Sequence, residues 1–238
     1  MKNGNLVCGT NTGDIILYKY NYISEMYEEI KTVKSQNEIY KIDQFCEGLI
    51  CVLSKDGITI YDDIYFNKKY YIQLNILYFD FVHISGYQIA MLNENYLSIL
   101  EINQNEGKII HSEKIEKINK KNVLINANKY LVLGGRKYIY IFDYSLNIIG
   151  KEKLLYGNIN CIQKIHDEFF LASTDDRSIL QITIEKKNNC PIFEIKGKNF
   201  ISNKEIYSLI LKNIDTILFT YDKGFQIFTL QKENCTIF

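Results

Sequence analysis

Apolar residues recur along this chain in a unit that repeats about six times: a continuous apolar run, a short polar turn, then an alternating run. The paired runs are 6–10 with 15–18, 49–53 with 58–61 and 89–92 with 96–100, then 130–135 with 138–142, 169–174 with 178–182 and 217–221 with 225–228. Except in the fourth, Arg136-Lys137, the turns between them hold Gly, Asn or Asp, residues that tolerate positive φ. Each copy therefore predicts a β-hairpin. Turn centres fall about 42 residues apart, within the range of four-stranded repeat units.

Further strand-like runs flank the hairpins. Runs at 39–45, 76–84, 123–127, 159–165 and 206–211 precede them, and runs at 27–33, 70–74, 108–113, 148–154 and 192–195 follow. Four strands per unit is the composition of one propeller blade. No amphipathic helix of useful length is evident. The expected fold is all-β, a six-bladed propeller forming a single domain over 1–238. A β-sandwich or another propeller type is the rival. The first unit lacks an inner strand of its own, and the tail 235–238 can serve either the last unit or the first. An incompletely closed ring, open to strand addition by a partner, is expected on that ground.

Specific residues resemble WD-repeat proteins. The Trp-Asp that ends the third strand in that family has counterparts in Tyr61-Asp62 and Phe142-Asp143, and 171–179 resembles its second strand, turn and third strand. The family's Gly-His dipeptide is missing, with Gly157-Asn158 at the best candidate place. The resemblance implies a rigid, non-catalytic scaffold for protein–protein interaction within a larger complex. A narrower resemblance concerns the WD-repeat accessory subunit of the tRNA anticodon-loop 2′-O-methyltransferase. Its residues are 76–81, 88–92 with Asn95, 131–135, 159–162 with 172–179, and 206–209 with 216–219 and Asp222. It implies as partners a separate methyltransferase and tRNA, with no catalytic residue in this chain.

Composition changes the picture in three ways. Lys plus Arg and Asp plus Glu number 28 each, so bulk charge does not point to nucleic acid. The six cysteines form no CxxC pair, which argues against zinc and predicts buried thiols in a reducing compartment, cytoplasm or nucleus. No run is apolar enough to be a signal peptide or a membrane span, so no membrane insertion is expected.

Candidate chemistry is sparse, and no cofactor is expected. Glu38, Asn75, Asn122, Asn158 and Glu205 each precede an inner strand. A ring of their oxygens loosely resembles the metal ring of calcium-dependent propeller lactonases, which gives a metal-dependent hydrolase as the distant alternative. His83, His111 and His166 fall elsewhere and offer no base to such a ring. Asp62-Asp63 and Asp175-Asp176 fit turns better than paired catalytic carboxylates. One basic constellation is the candidate partner- or RNA-binding site: Lys114, Lys117, Lys120 and Lys121 in one loop, with Arg136, Lys137 and Arg177 in hairpin turns of the same face.

Overall fold

A computed structural model describes residues 5–35, 37–46, 48–104, 106–118, 123–136, 138–154, 157–166, 168–187, 190–200, 206, 208–213, 216–221 and 224–229. None of these residues is helical. The chain divides into two compact units, 1–115 and 116–238.

The first unit contains three antiparallel sheets in chain order. One is β1 (Leu6–Gly9), β2 (Asp14–Asn21) and β3 (Met26–Lys34). The next is β4 (Ile39–Cys46), β5 (Leu49–Ser54), β6 (Gly57–Asp62) and β7 (Lys68–Gln73). The third is β8 (Asp80–Ser85), β9 (Gln88–Leu92), β10 (Tyr96–Asn103) and β11 (Glu106–Lys114). The second unit opens with β12 (Leu124–Asn126), β13 (Leu131–Gly134), β14 (Tyr138–Phe142) and β15 (Ile148–Lys153). Then come β16 (Ile159–His166), β17 (Phe169–Thr174), β18 (Ser178–Lys187) and β19 (Cys190–Phe200). It ends with β20 (Ser208–Asn213), β21 (Thr216–Tyr221) and β22 (Gly224–Thr229). Every strand pairs with its chain neighbour, the order the sequence pattern anticipates.

Burial explains the two kinds of apolar run. Second strands such as β5, β13 and β17 are buried almost end to end. Both their faces meet protein, so the run is continuous. Outer strands such as β3, β11 and β15 are mostly exposed and correspondingly polar. Cores form where consecutive sheets face each other. Phe45, Leu53, Ile58 and Ile60 meet Phe81, Ile89 and Met91 of the next sheet, and Tyr78 just before it. Ile15 and Leu17 meet Ile50, Val52, Tyr61 and Phe66. In the second unit Leu171 and Ile179 meet Ile206, Ile217 and Phe219. Each fully buried side chain of this kind contributes roughly 1.5–3 kcal/mol. Glycine sets the closeness at two equivalent sites. A Cβ on Gly9 would lie 2.6 Å from Ile39 Cγ2, and one on Gly134 would lie 2.7 Å from Ile159 Cγ2.

The six-bladed expectation is overturned: the chain is an all-β, five-bladed propeller of the WD-repeat kind. In every sheet up to β16–β19, the pairing of third and outer strands carries a bulge, at Leu17/Tyr18, Ile60/Tyr61, Ile99/Leu100, Ile141/Phe142 and Gln181/Ile182. A bulge adds local twist and bends the strand. The sheet β20–β22 has no such outer strand among the described residues. Among the described residues four sheets have the four strands of a complete blade and two have three, so hairpin signals do not translate one to one into blades. The expectation of an imperfectly closed ring turned on the start of the chain and the tail 235–238, and residues 1–4 and 230–238 lie outside the described residues. Among the described residues the sheets are separate and have four strands at most, unlike the two stacked sheets of a sandwich.

Candidate functional site

The turns between second and third strands are built by side-chain caps at one recurring position. Thr10 Oγ1 accepts from the Asp14 N–H at 2.8 Å. Ser54 Oγ donates to Asp56 Oδ1 at 2.7 Å. Asn93 Oδ1 accepts from the Asn95 and Tyr96 N–H groups at 2.9 and 2.8 Å. Thr174 Oγ1 donates to Asp176 and accepts from the Ser178 N–H. Such caps fix a turn without requiring glycine. Arg177 accordingly holds φ at 68°, a conformation rare outside Gly and Asn.

The fourth turn has Gly135 at this position, and its cap comes from outside. Glu116 Oε1 accepts from the Arg136 N–H at 2.8 Å. The Glu116 carboxylate also accepts from the Tyr140 hydroxyl, whose pKa is pushed up to about 12 by burial and then by that carboxylate. The loop carrying Lys117 is thereby tied to the turn carrying Arg136. Asn158 ties the next turn: its N–H and Nδ2 donate to Asp175 Oδ1 and Oδ2 at 2.7 and 2.6 Å. The Ile159 N–H, one residue on, donates to Gly135 O at 3.4 Å. Arg136 and Arg177 thus stand exposed on turns of consecutive sheets joined through Asn158 and Ile159.

Of the expected basic constellation, Lys117, Arg136 and Arg177 are exposed in the second unit. Lys114 is exposed at the end of β11 in the first unit, paired with Tyr96. Lys120, Lys121 and Lys137 lie outside the described residues. The arginine turns also carry carboxylates: Asp175 and Asp176, which the sequence already places in a turn, and Glu116, which it does not. Their bonds to backbone N–H groups or side chains commit them to structure.

Both Trp-Asp counterparts have clear roles. Tyr61 is buried and stacks on Phe66 with ring centroids 4.5 Å apart. Asp62 accepts from the Tyr65 and Asn67 N–H groups at 2.6 and 3.1 Å, and Asp143 from those of Ser145 and Asn147 at 2.9 Å each. The aromatic fills the core and the aspartate caps the turn to the outer strand.

The metal-ring residues gain no support. Asn158 is committed to Asp175, Asn122 and Glu205 lie outside the described residues, and no group of three or more His, Cys, Asp or Glu suited to a metal occurs among the described residues. Of the cysteines, Cys51 and Cys161 are buried, Cys8 and Cys46 are half-buried, and none of these four forms a disulfide. Burial pushes the Cys51 thiol well up, making it a poor nucleophile.

One ionic group escaped the sequence reading. Lys41 Nζ on β4 lies 2.6 Å from Oδ1 of Asp80 on β8, and Asp80 is completely buried. Asp43, two residues from Lys41, lines a cavity of about 510 Å³ with Leu6, Val7, Ile42 and Asp63. Water reaches Asp43, but the surrounding protein raises its pKa. Lys41 opposes that rise, and Asp80 adds to it. The available signal was a lysine and an aspartate set among the apolar positions of two inner strands.

No protein-family model matches the chain. Over 134 aligned positions it is 30% identical to the mitochondrial aspartate–tRNA ligase of Dictyostelium discoideum, covering 49% of this chain and 19% of that protein. The chain thus spans about a fifth of that relative's length. Solved structures match along nearly the whole chain. The β-propeller domain of Cps50 (Swd1) from Myceliophteria thermophila aligns with a TM-score of 0.78 at 11% identity, covering 100% of this chain and 82% of that one. The WD40 β-propeller domain of Doa1 aligns at 0.72 and 10% identity, covering 99% and 77%. The C-terminal WD40 domain of Sif2 aligns at 0.69 and 12% identity, covering 99% and 68%. At such identities the likeness is one of fold, and the fold is that of a WD40-like β-propeller.

Proposed function

We propose that the chain is a non-catalytic scaffold that holds other protein subunits within a larger complex, with 1–238 acting as one propeller domain. The WD40-like fold along the whole chain carries this reading. Its capped, rigid turns present Arg136 and Arg177 to solvent at low reorganisation cost, a property that favours binding. The carboxylates beside them are committed to turns, and no described cluster suits a metal. The tRNA-positioning alternative rests on the sequence resemblance alone. It enters the test as one of the readouts.

The test is purification of the tagged full chain from its native source, beside Arg136→Glu and Arg177→Gly variants. Glycine suits the positive φ at position 177, so that variant removes charge without straining the turn. A protein partner in stoichiometric amount, retained by the wild type and lost from the variants, is expected. A tRNA and methyltransferase retained together would favour the accessory-subunit reading. Partner retention unaffected by either variant contradicts a role for this surface.

A further inference from the structure

We propose that the groove between β3 and the β6–β7 hairpin in the first unit is a docking site for a phosphorylated side chain of a partner protein. The groove encloses about 450 Å³, a volume within the usual range of ligand sites. Lys31 and Lys34 of β3 and Lys68 of β7 line it, as does one carboxylate, Asp56.

The lysines differ from a solvated fringe in how they are held. Lys31 Nζ donates to Tyr65 O at 2.8 Å and to Asn67 Oδ1 at 3.1 Å. An ammonium has three donors, so one remains for a ligand. Lys68 Nζ stands 4.6 Å from the Tyr71 ring centroid, a cation–π contact. None of the three ammoniums is in an ion pair among the described residues. Asp56 is already committed. Its carboxylate accepts from Ser54 Oγ at 2.7 Å and from the Tyr71 hydroxyl at 3.1 Å. Three lysines against one engaged carboxylate leave an excess of positive charge. The stacked pair of Tyr61 and Phe66 gives the groove an aromatic side.

This chemistry suits a dianionic group with several acceptor oxygens on a partly apolar stem. That the phosphate comes from a protein rests on the scaffold reading. The sequence showed nothing here, because the lysines belong to two repeats and meet only when the sheets stack.

The test passes the full chain over an immobilised degenerate peptide library containing phosphoserine, phosphothreonine and phosphotyrosine, beside its unphosphorylated twin. Vesicles containing phosphoinositide form a separate arm. The expected result is retention by the phosphorylated library at least tenfold above the twin, weakening with salt, and lost in Lys31→Glu and Lys68→Glu. The exposed distant variant Lys153→Glu should bind normally. Lys68→Gln serves if a reversal unfolds the chain. Equal retention by both libraries, no retention, binding only to vesicles, or unchanged binding in the lysine variants each overturns the proposal. If the phosphorylated library fails while the native partner still depends on Arg136 and Arg177, only the groove proposal is lost.

Discussion

Lys41 and Asp80 show how much a single contact decides. Asp80 is fully buried, and Lys41 Nζ lies 2.6 Å from it. Removing only the lysine takes away the counter-ion of a buried carboxylate, to which the Phe81 N–H still donates at 2.9 Å. Lys41→Met is expected to destabilise by roughly 3–5 kcal/mol, whereas the double variant Lys41→Met/Asp80→Leu should recover most of the loss. Urea unfolding midpoints of the two variants check this. Asp43 nearby behaves in the opposite sense. Its pKa in the folded chain is raised, so the folded state binds more protons than the unfolded state. Its ionisation lowers stability as pH climbs from the ordinary carboxyl value of 3.8 through the raised folded value. Asp43→Asn is expected to raise Tm at pH 7, and the gain should vanish below about pH 3.8. A gain independent of pH would show that Asp43 acts sterically.

The strands and hairpins were legible because burial writes itself into the residue pattern. Second strands read as continuous apolar runs and outer strands as polar ones. The bulges and close approaches were not legible. A bulge changes pairing, not polarity, so Ile60/Tyr61 and Ile141/Phe142 look like uninterrupted strand. The packing of Gly134 against Ile159 joins residues of different repeats. Gly134→Ala places its Cβ 2.7 Å from Ile159 Cγ2, and a branched side chain cannot swing away as a long flexible one can. That overpacking is expected to cost about 1–3 kcal/mol. A thermal melt showing no loss would mean that β16 shifts freely against β13. The candidate site was half legible. Arg136 and Arg177 were placed on turns because the turn chemistry was visible, while Glu116 as an external cap was not, since Gly135 removes the local signal.

At the scale of the whole chain, repetition revealed the architecture and miscounted it. Each repeat announces a hairpin, but a hairpin is only half a blade, and a count of hairpins does not by itself fix the number of blades. The scaffold reading depends on turns that stay rigid when empty. Caps at Thr10, Ser54, Asn93 and Thr174, with Glu116 completing the fourth, supply that rigidity. Ordered turns need little reorganisation on binding, so charge at Arg136 and Arg177 should translate into affinity and salt sensitivity. Titration calorimetry of the purified full chain with its co-purified partner tests this most directly. The account predicts a Kd that weakens as salt rises and weakens at least tenfold further in Arg136→Glu, with Tm unchanged. A Kd indifferent to both salt and Arg136→Glu would contradict it.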